Sequence, residues 1–291
     1  MSQTARARVA EDARRTRGLV SVDGSQAEDE LPEDEAPEDD QPSLRWWREV
    51  LLALIFYAVY SFVRNTQGSA LVSRAVAEAN ALRVITVERF FGIYHEHWLQ
   101  QIFVGADVWM VVWNVFYGTF HFVVTVFVLV FLFRRFPERY RIWRNALAVT
   151  TGLALVGFAM YPLLPPRLLP SSYGFIDSLK VFGSLWSFDS GSMQVVSNQY
   201  AAMPSLHFAW ALWSGLALLP VLRWPWTKAL ALLYPAATLA AIIVTANHFL
   251  LDAVAGALAL GVGWVLGRAM YRRSLISAIL RPVAISAKAR G

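Results

Sequence analysis

Six long apolar stretches constrain the fold of this chain more than any other feature of its sequence. They cover residues 46–63, 108–133, 146–164, 206–222, 229–246 and 249–270. Each is close to the roughly 20 residues that a helix needs to cross the hydrocarbon core of a bilayer. Neither soluble strands nor the alternating strands of a membrane barrel have this pattern. The sequence therefore predicts an all-α integral membrane protein with six transmembrane helices.

The amount and distribution of charge exclude a soluble enzyme. Charged residues make up 16% of the chain, against about 25% in soluble domains. Residues 1–43 hold 12 of the 21 acidic residues and 5 of the 26 basic ones, so the remainder of the chain is strongly basic. The chain has no cysteine, which excludes a disulfide framework.

The chain divides into three predicted segments. Residues 1–43 are expected to form a disordered acidic cytoplasmic tail, because a charged stretch with repeated prolines has no apolar face to bury. Residues 44–272 form the predicted six-span membrane domain, and residues 273–291 a basic cytoplasmic C-terminal tail.

Basic residues near the apolar stretches set the expected orientation. Residues 134–144 include five arginines, residues 223–228 two basic residues, and the chain from residue 268 onward six more. By the positive-inside rule these segments face the cytoplasm, which predicts a multi-pass protein of the cell membrane with both termini inside. Residues 64–107 then lie outside as an amphipathic helical segment on the membrane surface. Its apolar stripe consists of Leu71, Val72, Ala75, Val76, Ala79, Leu82 and Ile85.

An ionisable pair marks the start of the last apolar stretch. His248 and Asp252 are four residues apart, so on a helix their side chains share one face within hydrogen-bond reach. A carboxylate there holds one imidazole nitrogen as an N–H donor and leaves the other with a free lone pair, as in an activated nucleophile or a tuned base. The alternative is structural: Asp252 stabilises the helix N-terminus, and His248 is an incidental partner.

Two further side chains reach the same membrane surface in the predicted topology. His207 falls in the first turn of the fourth stretch, where Ser205 is a candidate N-cap. Arg167 follows the third stretch, and a guanidinium binds phosphate oxygens through two parallel hydrogen bonds. Two imidazoles, a carboxylate and an arginine at one depth predict a phosphate site with acid–base capacity. Taken alone, His207 would also fit an interfacial histidine that touches lipid headgroups.

The other histidines have weaker interpretations. His95 and His97 flank Glu96 and point apart on a helix, so we expect surface exposure rather than a metal site. His121 lies in the middle of a span, where a hydrogen bond to a neighbouring helix backbone is the first interpretation and a place in the substrate pocket the second. Zinc is the competing chemistry for two histidines and a carboxylate, and it is disfavoured without cysteine or an H-E-x-x-H pattern.

These residues resemble the signatures of the type-2 phosphatidic acid phosphatase superfamily, whose members include six-span membrane enzymes. The second signature of that family is Pro-Ser-Gly-His, and residues 204–207 of this chain are Pro-Ser-Leu-His. The third signature ends in His-x-x-x-Asp, which His248 and Asp252 match. The first signature contains a phosphate-binding arginine, for which Arg167 is the candidate. The resemblance covers about residues 80–270.

The surroundings of the arginine indicate a branch of that family. Residues 161–170 follow the pattern Y-x-x-x-P-P-R-L-x-P, which is similar to inositol phosphorylceramide synthases, or inositolphosphotransferases. Met160 and Ile242 stand where the phosphatase pattern has a lysine and an arginine, which implies a divergent branch. The candidates for phosphate binding are Arg167, Ser205, Tyr200 and Asn247, with Lys180 and Asn198 as further polar candidates.

The residues and the resemblance together imply a membrane phosphotransferase. It would move a phosphoryl-headgroup, inositol-phosphate-like, from a lipid donor to a lipid or glycan hydroxyl through a phosphohistidine. His248, oriented by Asp252, is the expected nucleophile, and His207 is the expected general acid and base on the extracytoplasmic side. No cofactor and no metal are expected, because protein cations compensate the phosphate charge. The expected partners are a lipid phosphodiester or phosphomonoester and membrane lipids, with no nucleic acid, and the oligomeric state stays open.

Two alternatives use the same residues. The first is a lipid phosphate phosphatase, in which water replaces the hydroxyl acceptor. The second is a non-enzymatic transporter or scaffold that uses the polar cluster for binding. Transporters commonly bind near the bilayer midplane between repeated halves, whereas here no repeat is visible and the polar residues fall at one surface.

Overall fold

The computed structural model describes residues 45–66, 73–183 and 199–279. Residues 1–43, predicted to be a disordered tail, lie outside these ranges. The helices are α1 (Trp46–Thr66), α2 (Arg74–Phe90), α3 (Glu96–Val104), α4 (Asp107–Arg135), α5 (Pro137–Met160), α6 (Ser178–Phe182), α7 (Leu206–Leu218), α8 (Pro225–Val244) and α9 (Leu250–Ile279). The described residues contain no strand, which confirms the predicted all-α class for this part of the chain. Residue 272, the predicted end of the membrane domain, lies inside α9.

Four of the described helices are long and apolar enough to cross a membrane, namely α4, α5, α8 and α9. Helix α7 is apolar but has only 13 residues. Large apolar side chains point outward, with Val123, Phe127 and Leu258 exposed to 60%, 61% and 68%. A surface of this kind is stable against lipid and not against water. The chain is therefore a membrane protein, and the count of six spans stays a prediction.

Two predicted loops are partly helical. The sequence predicts a loop over residues 134–144, but only Phe136 separates α4 from α5. Helix α5 begins at Pro137, because proline has the right φ for a first helical position and that position needs no N–H donor. Pro225 begins α8 in the same way, inside the loop predicted over residues 223–228.

The outer segment forms two helices, α2 and α3. Helix α2 turns Ala77 and Ala81 towards the protein, where the Leu164 N–H donates to the Ala77 carbonyl at 3.1 Å. Val76 and Leu82 of the predicted apolar stripe are 51% and 39% exposed, whereas Ile85 of the same stripe is buried. Ala77 and Ala81 let the extended segment after α5 come close, and Val84 and Ile85 of α2 pack in the same buried cluster. Leu71 and Val72 lie outside the described residues.

Helices α5 and α9 pack at very short range through glycines of α9. A β-carbon on Gly267 would lie 2.6 Å from the Ala146 backbone nitrogen, so no larger residue fits without a shift. The spacing of glycines in the last apolar stretch predicts close packing at four positions, and Gly256, Gly263 and Gly267 confirm it. At Gly261 the prediction is wrong, since a β-carbon there would meet nothing within 4 Å.

Candidate active site

His248 and Asp252 form a buried pair at the start of α9. His248 Nδ1 lies 3.1 Å from Asp252 Oδ2, and the two side chains are 5% and 0% exposed. A carboxylate only accepts hydrogen bonds, so Nδ1 carries the proton and Nε2 keeps its lone pair. The same Asp252 oxygen accepts the Phe249 backbone N–H at 3.0 Å. One carboxylate therefore both orients the imidazole and caps the helix, so the two interpretations of Asp252 do not exclude each other.

His207 lies next to this pair, in the first turn of α7. Ser205 is the N-cap of α7, and its Oγ accepts the Phe208 N–H at 3.4 Å. The ring centroids of His207 and His248 are 5.5 Å apart. The Tyr117 ring stacks on His207 with centroids 4.2 Å apart. The two imidazoles are therefore close enough to act on one phosphoryl group.

Main-chain contacts join the starts of α7 and α9. The Ser205 N–H donates to the Asp252 carbonyl at 2.9 Å. Gly256 permits this approach, because a β-carbon there would lie 2.5 Å from the Ser205 carbonyl oxygen. Helix packing therefore fixes how the backbone at the start of α7, which carries His207, lies against the backbone at the start of α9.

Arg167, in the proline-rich segment after α5, contacts the turn that immediately precedes His248. Its backbone N–H donates to the Ala246 carbonyl at 2.9 Å. Its side chain is anchored twice, because Nε donates to Asn247 Oδ1 and Nη1 to Asp177 Oδ2, each at 2.9 Å. Among the described residues Nη2 has no protein hydrogen-bond acceptor. Nη2 is thus available to bind a ligand anion. The guanidinium lies beside Asn247, the residue that precedes His248.

The apolar stretches 229–246 and 249–270 nearly touch, which predicts a tight turn around Asn247, and α8 and α9 are joined by such a turn. Ala246 has φ of 53°, the left-handed region that non-glycine residues rarely adopt. Asn247 closes the turn with its N–H on the Ile242 carbonyl at 3.0 Å and its Nδ2 on Thr245 Oγ1 at 2.9 Å. Both ends of the Asn247 amide are engaged, so this side chain holds Arg167 in the turn. Direct phosphate binding by Asn247 stays a prediction.

The remaining phosphate-binding candidates are placed less directly. Ser205 is completely buried, and its hydroxyl oxygen caps α7. The Tyr200 carbonyl accepts the Leu163 N–H at 2.8 Å. The Tyr200 side chain packs against the buried apolar cluster that includes Ala77 and Ala81 of α2. Lys180 is exposed on α6, and Asn198 lies outside the described residues. Their roles in phosphate binding stay predictions.

Two buried carboxyls for which the sequence gives no local signal complete the start of α9. Glu96 Oε1 accepts the Leu250 N–H at 2.9 Å, and Glu88 Oε1 accepts the Leu251 N–H at 2.8 Å. With Asp252, three successive N–H groups at this helix start each meet a carboxyl. Such groups have no partner inside the helix. The helix that carries the His248 pair is therefore anchored by residues from α2 and α3.

The neighbouring carboxyls of Glu88 and Glu96 make the stability of the protein depend on pH. Burial and the neighbouring Glu96 carboxyl raise the pKa of Glu88 from 4.5 to about 9. A carboxyl with a raised pKa in the folded state stabilises the fold at low pH, and this contribution is lost as the pH rises through the folded value. We expect the Tm to fall between pH 4.5 and about 9. Glu88→Gln, which is neutral and keeps an acceptor oxygen, should flatten that fall.

The measurement is thermal unfolding of the purified protein in detergent, followed by tryptophan fluorescence at several pH values. Glu78→Gln is the matched control, because Glu78 lies on the same helix and is only half-buried. It should keep the wild-type slope. An unchanged slope in Glu88→Gln would contradict the role of this carboxyl.

Helix α4 contributes two rings to the site. Tyr117 and His121 are one helical turn apart, and the ring centroid of each lies 4.2 Å from that of His207. His121 Nδ1 lies 3.0 Å from the Tyr117 carbonyl oxygen. The predicted bond to a neighbouring helix is therefore wrong, since the acceptor belongs to the same helix. The His121 ring lies at the site, in agreement with the second interpretation of this residue.

Comparison with known proteins identifies a family. A family model described as the PAP2 superfamily matches residues 82–266. This range runs from the middle of α2 into α9 and includes every site residue described above. No curated protein and no solved structure matches the chain. Within the described residues, no three histidine, aspartate or glutamate side chains are grouped so that they could hold a metal ion.

Proposed function

The chain belongs to the PAP2 superfamily, and on this basis we propose that it is a membrane phosphotransferase. It moves a phosphoryl-headgroup, such as inositol phosphate, from a lipid donor to the hydroxyl of a lipid or glycan. Membership of the superfamily supports phosphatase or phosphotransferase chemistry on lipid phosphates. The observation that carries the proposal is the pair of imidazoles with centroids 5.5 Å apart, one of them held by a buried carboxylate.

The proposed reaction has two halves. His248 Nε2 attacks the phosphorus of the donor, and the N–P bond forms while the bond from phosphorus to the leaving oxygen breaks. His207 donates a proton to that oxygen, so a neutral alcohol departs. In the second half, His207 takes the proton of the incoming hydroxyl, whose oxygen attacks the phosphorus. The N–P bond then breaks, and its electron pair returns to His248.

Arg167 is the cation of the proposed site. Its Nη2 binds a non-bridging phosphoryl oxygen, and first-turn N–H groups of α7 bind another. The ion pair with Asp177, at 2.9 Å, partly neutralises the guanidinium. The remaining positive charge suits a singly charged phosphodiester better than a doubly charged phosphomonoester. This difference favours transfer of a headgroup over hydrolysis of a terminal phosphate.

The two substituted positions of the phosphatase pattern support the same preference. Met160 is 79% exposed at the end of α5, and Ile242 is completely buried in α8. Neither residue supplies charge to a phosphate. Residues 161–170 resemble the corresponding segment of inositolphosphotransferases, and for this reason we propose an inositol-phosphate-like headgroup.

The proposed orientation follows from the basic segments. We propose six spans, with α1 and α7 as the two beyond the four that are long and apolar enough by themselves. The protein then lies in the cell membrane, with both termini and the arginines of residues 134–144 on the cytoplasmic side. The site lies at the extracytoplasmic surface, where a lipid enters sideways while its headgroup meets water.

A panel of labelled lipids tests the function. Purified protein is incubated with ³²P-labelled phosphodiester donors of several headgroups, each with and without hydroxyl acceptors such as ceramide, diacylglycerol or a glycan. We expect a labelled product that depends on the acceptor and is resolved by thin-layer chromatography. Release of inorganic phosphate from monoesters without acceptor-dependent product would overturn the transferase in favour of a phosphatase. No turnover together with no vanadate binding would favour a transporter or scaffold.

A further inference from the structure

We propose that the elbow between α2 and α3 is a lipid anchor of the active site. The elbow consists of residues 88–96, and its tip consists of Phe90 and Phe91. The tip inserts among the acyl chains of the leaflet that borders the site, and this insertion holds the start of α9 in place. Such anchoring is separate from the proposed function, because it concerns what the bilayer does to the protein and not which lipid is transferred.

The end of α2 presents the two phenylalanines on a hydrogen-bonded turn. Gly92 has φ of 68°, a left-handed conformation that glycine adopts at no steric cost. The Gly92 N–H donates to the Arg89 carbonyl at 3.1 Å, and the Ile93 N–H donates to the Glu88 carbonyl at 2.9 Å. This pair of bonds is the Schellman motif that closes the C-terminus of a helix. The main chain of the tip is therefore fixed.

Both side chains of the tip point away from the protein. Phe90 is 82% exposed and Phe91 is 65% exposed. Their rings meet edge to face, with centroids 5.1 Å apart. Two adjacent phenylalanines on a fixed turn are unfavourable in water, and exposed apolar groups of this kind mark a surface that meets an apolar partner.

The position of α3 indicates that this partner is lipid. Only two residues join α3 to α4, which is long and apolar enough to cross a membrane. Trp98 and Ile102 lie one turn apart on α3 and are both exposed, and tryptophan is enriched where a bilayer meets water. Another side of α3 is held by the protein, since Gln100 exchanges two hydrogen bonds with the Ile176 backbone. The exposed side of α3 therefore lies at the membrane surface.

An apolar cavity lies next to the tip, between the elbow and α8. Its volume is about 470 Å³, which is within the range of small-molecule sites. Helix α8 is one of the helices that can cross a membrane, so lipid hydrocarbon surrounds the protein here. A single acyl chain suits such a space beside an inserted tip. The apolar residues of its lining are Gly92, Ile93, Leu99, Leu239, Ala240 and Ile243, with others of α3, α8 and α9.

The charge of the elbow also favours a bilayer over an apolar protein surface. Arg89 is exposed beside the tip, and its guanidinium carbon lies 5.0 Å from the centroid of the Tyr94 ring. Segments that lie in a membrane interface combine basic side chains with exposed aromatic ones, because the cations meet lipid phosphates while the rings enter the acyl region. The two acids of the elbow, Glu88 and Glu96, are buried and face α9.

The elbow is hydrogen-bonded directly to the helix that follows His248. The glutamates at its two ends accept successive N–H groups of α9. Glu88 Oε1 accepts the Leu251 N–H at 2.8 Å, and Glu96 Oε1 accepts the Leu250 N–H at 2.9 Å. A displacement of the tip would therefore disturb the two bonds next to the nucleophile. Lipid that holds the tip in turn holds these bonds.

Quenching of a fluorescent label tests the insertion. The chain has no cysteine, so a Phe91→Cys variant carries a single label. The full chain is placed in nanodiscs of phosphatidylcholine and phosphatidylglycerol, with or without bromine on the acyl chains. We expect brominated lipid to quench this label, as it should quench one at Leu258→Cys on the exposed side of α9. Ser172→Cys, an exposed polar position near Arg167, is the matched control and should instead be quenched by iodide in the water.

Two results would overturn the insertion. The first is a label at residue 91 that iodide quenches as strongly as the label at residue 172. The second is a label that neither quencher reaches, because a protein surface, such as a second copy of the chain, would then cover the tip.

Hydrogen exchange in the same nanodiscs tests the connection to α9. Phe90→Ser combined with Phe91→Ser removes the apolar contact with lipid, and we expect the Leu250 and Leu251 amides to exchange about 10-fold faster than in the wild type. The double change to leucine keeps an apolar tip and should keep the wild-type exchange. The α5 amides around Ala146, which pack further along α9, should be unchanged in both variants if the fold is intact.

Equal exchange of the α9 amides in the serine and leucine variants would overturn the claim that lipid holds α9. Neither measurement requires turnover. A protein that transfers no headgroup but shows the expected quenching and exchange would refute the proposed function alone.

Discussion

His248→Asn is expected to lose headgroup transfer on the order of 10⁴-fold or more, as when the nucleophile of a catalytic triad is removed. Asparagine keeps a donor near Nδ1 for the buried Asp252 carboxylate, but it has no lone pair that can bond to phosphorus. His248→Ala should be equally inactive and also less stable, because a buried carboxylate without its donor costs about 1–3 kcal/mol. The Asn variant therefore separates chemistry from folding.

The measurement is labelling of the protein itself. Wild-type protein that is mixed with a ³²P-labelled donor and no acceptor, then quenched in alkali, should carry label that acid removes, as a phosphohistidine does. His248→Asn should carry none. His95→Asn is the matched control, because His95 is an exposed histidine at the start of α3, and it should label like the wild type. Equal labelling of His248→Asn would exclude His248 as the point of attack.

The acidic residues of the membrane domain are concentrated at this site. Residues 44–291 contain nine, and four of them lie around the start of α9 and Arg167. These four are Glu88, Glu96, Asp177 and Asp252. Three accept N–H groups of one helix start, and the fourth holds the arginine. The buried acidic side chains therefore hold the helix that carries His248, and Asp177 holds Arg167.

The parts of the site that could be predicted from sequence depend on local spacing. His248 and Asp252 are four residues apart on one helix, so their contact at 3.1 Å needs only that the helix forms. The Ser205 N-cap is similarly local, because the helix after it can begin in few other ways. The prolines before Arg167 end α5 and extend the chain, which carries the arginine to the turn at Asn247.

The parts that could not be predicted depend on contacts between distant segments. Glu88 and Glu96 accept N–H groups 163 and 154 residues further along the chain. Nothing local distinguishes them from solvated acids on an amphipathic helix. One signal was available: Glu88 falls on the same face of α2 as Ala81 and Val84, both buried. Its place on that apolar face makes Glu88 a candidate for a buried carboxyl.

Helix ends were predicted less well because charge and helix formation are separate properties. Five arginines in residues 134–144 indicate the side of the membrane, and as a charged run between two apolar stretches they also predict a loop. Arginine is a good helix former, and Pro137 starts a helix well, so α5 begins among them. The charge run thus carried information on topology but not on local structure.

His207→Gln is expected to lose about 10²–10⁴-fold in transfer from natural lipid donors. The leaving group there is an alcohol, which departs slowly unless a proton reaches its oxygen. With a nitrophenyl phosphodiester the loss of the first half-reaction should be small, because nitrophenolate is stable without a proton. The second half still requires His207 to take the proton of the acceptor. The variant should therefore release one nitrophenolate per protein in a rapid burst and then stall as the phosphohistidine.

Comparing the natural donor with the nitrophenyl donor thus distinguishes the role of His207 from that of His248. His248→Asn should be inactive with both donors, since without a nucleophile no leaving group departs, however stable it is. Stopped-flow absorbance of nitrophenolate measures the burst, and the ³²P label on the protein measures the stalled intermediate. An equal loss with the natural and the activated donor would mean that His207 gives no proton to the leaving oxygen. The 5.5 Å between the two rings would then reflect packing with Tyr117, and the acid would have to be sought elsewhere.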